Sequence, residues 1–233
     1  MREHLNQHFD DCLPPINAAG QSSYVRRVWS FLMSNQEEIS LLSSLQGIPP
    51  IHLPNDIYIH DFSNPPAADW ICPMEYSIGK YDEVRNGMYL QEHFESNRVL
   101  HMGLDIGGPL ASPVHSCLDG EVVFSGYHHE DGDYGNTIIT KHQVGERTLW
   151  ILYGHLCSHS IKHTTAGGHV KAGQLIAWLG DEQENGGWVP HLHLQLTWLA
   201  PIENSVKGIF TIEQRKEALR SHPDPQLLIG FYY

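Results

Sequence analysis

From residue 101 to about residue 198 the chain is written in short runs of β-branched and aromatic residues, separated by Gly, Asp and Asn. That punctuation is the signature of an all-β domain whose strands turn back on one another. Candidate strands run from Gly120 to Gly126, Thr137 to His142, Thr148 to Tyr153, Gln174 to Leu179 and Leu192 to Trp198. Between the second and third, Gln143 to Glu146 reads as a hairpin loop with Gly145 at its turn. The expected fold is mainly β, an antiparallel sandwich or barrel.

The flanks have a different period. From Ser23 to Leu45 the pattern is helical, with Val25, Val28 and Leu32 on one stripe and Ile39, Leu42 and Leu45 on another. Ser34 and Glu37 suit a capping box, and Gly47-Ile48-Pro49-Pro50 is a stop. An α-helical N-terminal extension is therefore expected over residues 1–50. An irregular connecting segment follows over 51–97, with Ile57-Tyr58-Ile59 as its strand-like run, and the β-rich domain occupies 98–233. A short C-terminal helix is expected from Thr211 to Arg220, opened by Thr211 and Gln214 and ended by Ser221-His222-Pro223. A chain of 233 residues suits one domain with extensions.

Composition narrows the partners. The formal charge of −13 comes with no Lys/Arg cluster, which argues against nucleic acid, because phosphate binding needs a basic face. No apolar run is long enough to span a bilayer. The opening MREHLNQHFDDCLPP has no apolar h-region, so a cytoplasmic location is expected. Cys12, Cys72, Cys117 and Cys157 form no C-x-x-C pair and read as reduced thiols. Seventeen histidines raise the prospect of a metal site without locating it.

Three motifs can carry chemistry. In His101-Met102-Gly103-Leu104-Asp105 an imidazole and a carboxylate stand four residues apart. In a straight strand their alpha carbons would be roughly 13 Å apart, too far for two ligands of one ion, so the chain must bend, and Gly103 permits the bend. In Pro190-His191-Leu192-His193-Leu194-Gln195-Leu196 the period-two alternation puts His191 and His193 on one face of a strand and the leucines on the other. His155, in Tyr153-Gly154-His155, lies just past the predicted end of a strand, where a rigid sheet can steer a reactive group. Each motif taken alone is compatible with a surface pair, a solvated strand face or a structural histidine.

Together, and in this order, H-x-x-x-D, Y-x-H and H-x-H resemble the pattern of the lysostaphin-type (LytM-like) zinc metallopeptidases. The resemblance runs from about Arg98 to Trp198 and implies an antiparallel β fold around one zinc ion. It implies His101, Asp105 and His193 as the metal ligands and His155 and His191 as the catalytic pair. The implied reaction is endopeptidase hydrolysis of a peptide or amide bond by metal-activated water, on a peptide or peptidoglycan-like substrate. Glu184 to Trp188 and Asp224 to Gly230 resemble a narrower, intracellular subgroup.

Two other functions share parts of this pattern. Cupin-like metal enzymes also place H-x-H on a β-strand, but usually with a glutamate a few residues on, where this chain has Leu196-Thr197-Trp198. A catalytically silent module that binds peptides or a partner on the same fold would normally lack a ligand, and none is missing.

Overall fold

The computed structural model describes residues 36–67, 70–89, 97–130 and 132–233. The chain divides into two compact units, Met1–Leu41 and Leu42–Tyr233. Of the first unit only residues 36–41 are described, and they are helical. The stripe of Val25, Val28 and Leu32 and the capping serine Ser34 lie outside the described residues.

The second unit is mainly β, as the punctuation predicts. Its strands are β1 (Tyr58–Ile59), β2 (Ser77–Gly79), β3 (Glu83–Val84), β4 (Leu100–His101), β5 (Leu104–Gly107), β6 (Pro113–His115), β7 (Gly120–Tyr127), β8 (Asn136–Val144), β9 (Arg147–Leu156), β10 (His169–Val170), β11 (Leu175–Trp178), β12 (His191–Thr197) and β13 (Ile209–Phe210). Eight of them form one sheet in the order β1-β2-β5-β12-β9-β8-β7-β10. This sheet is open, with β1 and β10 at its edges, and does not close into a barrel. A two-stranded sheet (β11-β6) and a three-stranded sheet (β13-β4-β3) complete the β structure of the described residues.

The hairpin between β8 and β9 is tighter than predicted. Val144 pairs with Arg147, so only Gly145 and Glu146 make the turn, and Gly145 takes the positive φ that such turns need. The stretch expected to be irregular holds more order than its composition suggests. β1 falls on the Ile57-Tyr58-Ile59 run, and β2 pairs with β5 inside the main sheet.

Alternation on β12 does place the leucines together, and Leu192, Leu194 and Leu196 are fully buried. The polar side is buried as well, because His193, Gln195 and Thr197 are also covered. A sheet shielded on both faces leaves its inward polar groups no water to bond, so each must find a partner within the protein. That requirement is what concentrates chemistry on this strand.

Helix Arg215–Ser221 starts later than predicted. Gln214 stands at its cap position and its side chain reaches back to the Thr211 amide (3.2 Å), which is one half of the expected capping box. A further helix, Pro225–Ile229, was not expected from the sequence; Asp224 caps it, Pro225 opens it and Gly230 ends it in the left-handed conformation. Ala218 of the first of these helices packs with Leu100, Met102 and Phe210, and so braces the strand that carries His101. Among the described residues no helix is long and apolar enough to cross a membrane, and Cys72, Cys117 and Cys157 are free thiols.

His222, at the end of that brace, is buried with its ring 5.0 Å from Phe210. Burial pushes its pKa down from 6.5 to about 4. The unfolded chain therefore takes up a proton first, so this stabilisation is complete above pH 6.5 and is lost as pH falls towards 4. We expect His222→Leu to flatten the acid side of the stability profile. In urea unfolding at neutral pH and near the acid end of that window, the parent should lose about 3 kcal/mol more than the variant.

Candidate metal centre

Strand register brings the first two motifs together. β12 lies between β5 and β9, with His193 opposite Asp105 on one side and Gly154 on the other. His101 comes from a different sheet, where it pairs with Glu83 and Ile209. The chain passes from β4 to β5 through Met102 and Gly103, and this break is the bend that the spacing of His101 and Asp105 demands. Gly103 has a second role that the spacing does not reveal. A Cβ there would lie 2.2 Å from His193 Cε1 and 2.5 Å from Nε2, so the bare backbone makes room for the ring.

The three ligand-type atoms converge. His101 Nε2 lies 3.1 Å from His193 Nδ1 and 3.3 Å from Asp105 Oδ1, and His193 Nδ1 lies 2.9 Å from the same oxygen. Atoms bound tetrahedrally to one zinc at about 2.0–2.1 Å stand roughly 3.3 Å apart, and the observed triangle is close to that size. The outer hydrogen bonds set the tautomers. His101 Nδ1–H donates to the Lys80 carbonyl (3.1 Å), which leaves Nε2 with a lone pair. Gln195 donates its amide to the Lys207 carbonyl (2.8 Å), so its Oε1 is free to accept from His193 Nε2–H (2.9 Å), which leaves Nδ1 with a lone pair. Two lone pairs and a carboxylate oxygen then face one another in a buried space. A proton can bridge one of these contacts, whereas a divalent cation can satisfy all three. His101, Asp105 and His193 are thus able to hold a metal ion, and they are all buried.

Electrostatics agree with that reading. Burial, and then the nearby Arg85 charge, lower the His101 pKa to about 4, so the imidazole is neutral near pH 7, as a ligand must be. Burial alone would raise the Asp105 carboxyl. The neighbouring His101 and Arg85 outweigh it and hold the carboxyl well below the usual carboxylate range.

His155 and His191 lie beside this triangle, their ring centroids 4.3 Å apart. The His155 ring is 6.1 Å from that of His193. His155 is not past the end of its strand. β9 continues to Leu156, and His155 sits there at φ +62°, where the β8–β9 register slips between Asn136 and Ile138. A non-glycine residue in the left-handed region is strained by the order of 1 kcal/mol or more, and such strain is characteristic of functional sites. Its backbone amide donates to the Tyr134 carbonyl and its Nδ1–H to the Asn185 carbonyl, both at 2.7 Å. His191 Nδ1–H donates to the Val189 carbonyl (2.8 Å). Carbonyls only accept, so both rings carry the proton on Nδ1 and keep Nε2 as an acceptor. Burial, first among the causes for each, lowers both pKa values, that of His155 strongly.

These groups line a cleft of about 580 Å³ that also contains Phe62, Trp70, Arg85, Tyr134 and Trp188. Several residues in this cleft or supporting it were not singled out from sequence. Gln195 was legible in principle, because it follows His193 by one pleat on the same strand face. Asn185 falls in the Glu184 to Trp188 phrase, and its side chain ties that loop together through Trp188 and Gly180. Tyr134 lies 5.1 Å, ring to ring, from His193 and donates its hydroxyl to the Val206 carbonyl. Arg85 carries no local signal at all; nothing around it in sequence points to the site.

Comparison with known proteins finds one matching family and several relatives. Residues 99–205 match Peptidase family M23. Lysostaphin of Staphylococcus staphylolyticus is 33% identical over 99 residues, which cover 42% of this chain and 19% of that protein. Glycyl-glycine endopeptidase ALE-1 of Staphylococcus capitis is 35% identical over 95 residues, covering 41% of this chain and 24% of that one. The chain thus matches a quarter or less of the length of these curated relatives. The solved catalytic domain of lysostaphin from Staphylococcus simulans aligns with a TM-score of 0.46 at 23% identity, over 67% of this chain and 93% of that one.

If Gly103 is needed to admit the His193 ring, Gly103→Ala should displace that ring while the fold persists. We expect the variant to lose bound zinc on dialysis under conditions where the parent keeps about one equivalent, measured by elemental analysis.

Proposed function

We propose, from the match of residues 99–205 to Peptidase family M23 and from the geometry of the cleft, that the chain is a zinc-dependent endopeptidase. The observation that carries the reading is the buried triangle of His101 Nε2, Asp105 Oδ1 and His193 Nδ1, each oriented by an outer hydrogen bond. In this reading these three residues hold one zinc ion. When bound, zinc supplies Lewis acidity, polarising the scissile carbonyl and making a water acidic enough to attack near neutral pH.

The remaining steps belong to side chains. His155 and His191 present Nε2 as a proton acceptor while Nδ1–H stays fixed on a carbonyl, so either ring accepts a proton without turning. Their lowered pKa values keep both neutral near pH 7 and ready to act as bases. As the peptide bond breaks, an imidazolium formed in this way returns its proton to the leaving amine. Asn185 and the Tyr134 carbonyl hold the His155 backbone and ring against the strain of its positive φ. The walls of Phe62, Trp70 and Trp188 limit water around the reacting bond. The substrate class we propose is a peptide, including the peptide part of a peptidoglycan-like polymer. The name of one relative, glycyl-glycine endopeptidase ALE-1, favours glycine-containing bonds.

The assignments separate by experiment. His193→Ala and Asp105→Ala should strip zinc from the purified protein. His155→Ala and His191→Ala should retain close to one equivalent and lower turnover of a pentaglycine or peptidoglycan substrate by at least ~100-fold. Stoichiometric zinc in the His193→Ala protein would refute the ligand set. Full turnover without either imidazole would refute the proposed roles of the pair.

A further inference from the structure

Asp105 offers only one oxygen to the triangle. Oδ1 faces His193 and His101, whereas Oδ2 accepts a 2.6 Å hydrogen bond from Arg85 Nη1. Arg85 lies outside the matched segment 99–205, immediately after β3. Its side chain is 3% exposed and its donors are held on every side: Nε on Glu83 Oε2 (3.0 Å), Nη1 also on the Tyr89 hydroxyl (3.3 Å) and Nη2 on the Lys80 carbonyl (3.3 Å). The flat face of the guanidinium covers Phe62, 4.8 Å from the ring centroid.

The same Lys80 carbonyl accepts His101 Nδ1–H. One turn, residues 79–85, therefore orients two of the three ligand-type residues from behind. Space for this arrangement depends on Gly79, the cross-strand neighbour of Asp105. A Cβ there would meet Arg85 Nη2 at 2.8 Å and Asp105 Oδ2 at 3.1 Å.

A buried guanidinium next to a cation site is unfavourable unless it performs a task that a neutral donor could not, since both charges must be desolvated. Glu83, which it shares with Lys80, is a second counter-ion for Arg85, so the guanidinium is not held by Asp105 alone. What it does to Asp105 is geometric. A carboxylate can bind a metal through one oxygen or both, and a short charge-assisted hydrogen bond on Oδ2 keeps that oxygen turned away. Binding through both oxygens would fill the position that a catalytic zinc site leaves open.

We propose that Arg85 is a positioning residue of the metal centre: by holding Oδ2 it keeps Asp105 a one-oxygen ligand and keeps a coordination position free for water or substrate. The proposal rests on the assignment of His101, Asp105 and His193 as zinc ligands. It also makes the turn 79–85 an integral part of the centre, although that turn precedes the family domain in sequence.

Replacing zinc by Co(II) gives a readout that does not depend on activity, because visible absorption is intense for four-coordinate cobalt and several-fold weaker at higher coordination number. The full chain is compared with Arg85→Met, which removes charge and fork but keeps the stem, and with Arg85→Lys. We expect Arg85→Met to bind one Co(II) with a several-fold weaker visible band and to show kcat lowered about 10–100-fold with zinc, KM changing little. Arg85→Lys, which keeps a charge but cannot bridge Glu83 and Asp105, should show the same spectral change to a smaller degree and carries the test if Arg85→Met does not fold. A Co(II) spectrum and metal affinity equal to those of the parent in the folded variant would overturn the proposal, even if activity fell. Failure of the underlying ligand assignment looks different: there the His193→Ala and Asp105→Ala proteins would keep their metal.

Discussion

Three electron-rich atoms held about 3 Å apart inside a protein repel one another, and this repulsion is the constraint around which the domain is arranged. His101 Nε2, His193 Nδ1 and Asp105 Oδ1 meet in that way because the β5–β12 register sets Asp105 opposite His193 and a break at Gly103 swings His101 back over them. A proton relieves one contact of such a cluster, and a divalent cation relieves all three. The sheet supplies the rigidity that keeps the atoms in place before any cation arrives, since β12 is hydrogen-bonded on both sides and its leucines are fully buried.

Around the triangle lies a layer of groups whose work is orientation. The Lys80 carbonyl, Gln195 and Arg85 each take the side of a ligand-type residue that faces away from the triangle, and so determine which atom faces in. The carbonyls of Asn185 and Val189 do the same for His155 and His191. Histidine has two ring nitrogens, and only such partners decide which of them carries the proton. Burial then keeps the rings of His101, His155 and His191 neutral. Thus one physical setting, a polar strand face sealed from water, produces tautomers able to hold a metal, the depressed basicity and the cleft beside them.

Much of this was legible in the chain. Alternation identified β12 and the shared face of His191 and His193, because a strand has a strict period of two. The spacing of His101 and Asp105 required a bend, and Gly103 was where it could occur. The punctuation by Gly, Asp and Asn gave the mainly β class and located β7, β8, β9, β11 and β12, with ends shifted by up to three residues, whereas β2 to β6, β10 and β13 were not legible. His155 was expected past a strand end and instead lies within β9 at a slipped register, since pairing with β8 carries the strand on to Leu156.

What the sequence determined by itself was local: periodicity, turn chemistry and the presence of ligand-type side chains in a recognisable order. These depend on neighbours within a few residues, and the order of motifs survives without knowing how the chain folds. What only the tertiary structure decided was convergence. That Arg85 holds Asp105, that the Lys80 carbonyl serves both Arg85 and His101, that Tyr134 lies beside His193 and that Gly103 makes room for an imidazole from residue 193 are all contacts between distant segments. No pattern in the text between residues 51 and 97 announces them, because a buried hydrogen bond is fixed by sheet register and packing rather than by the residues adjacent to either partner.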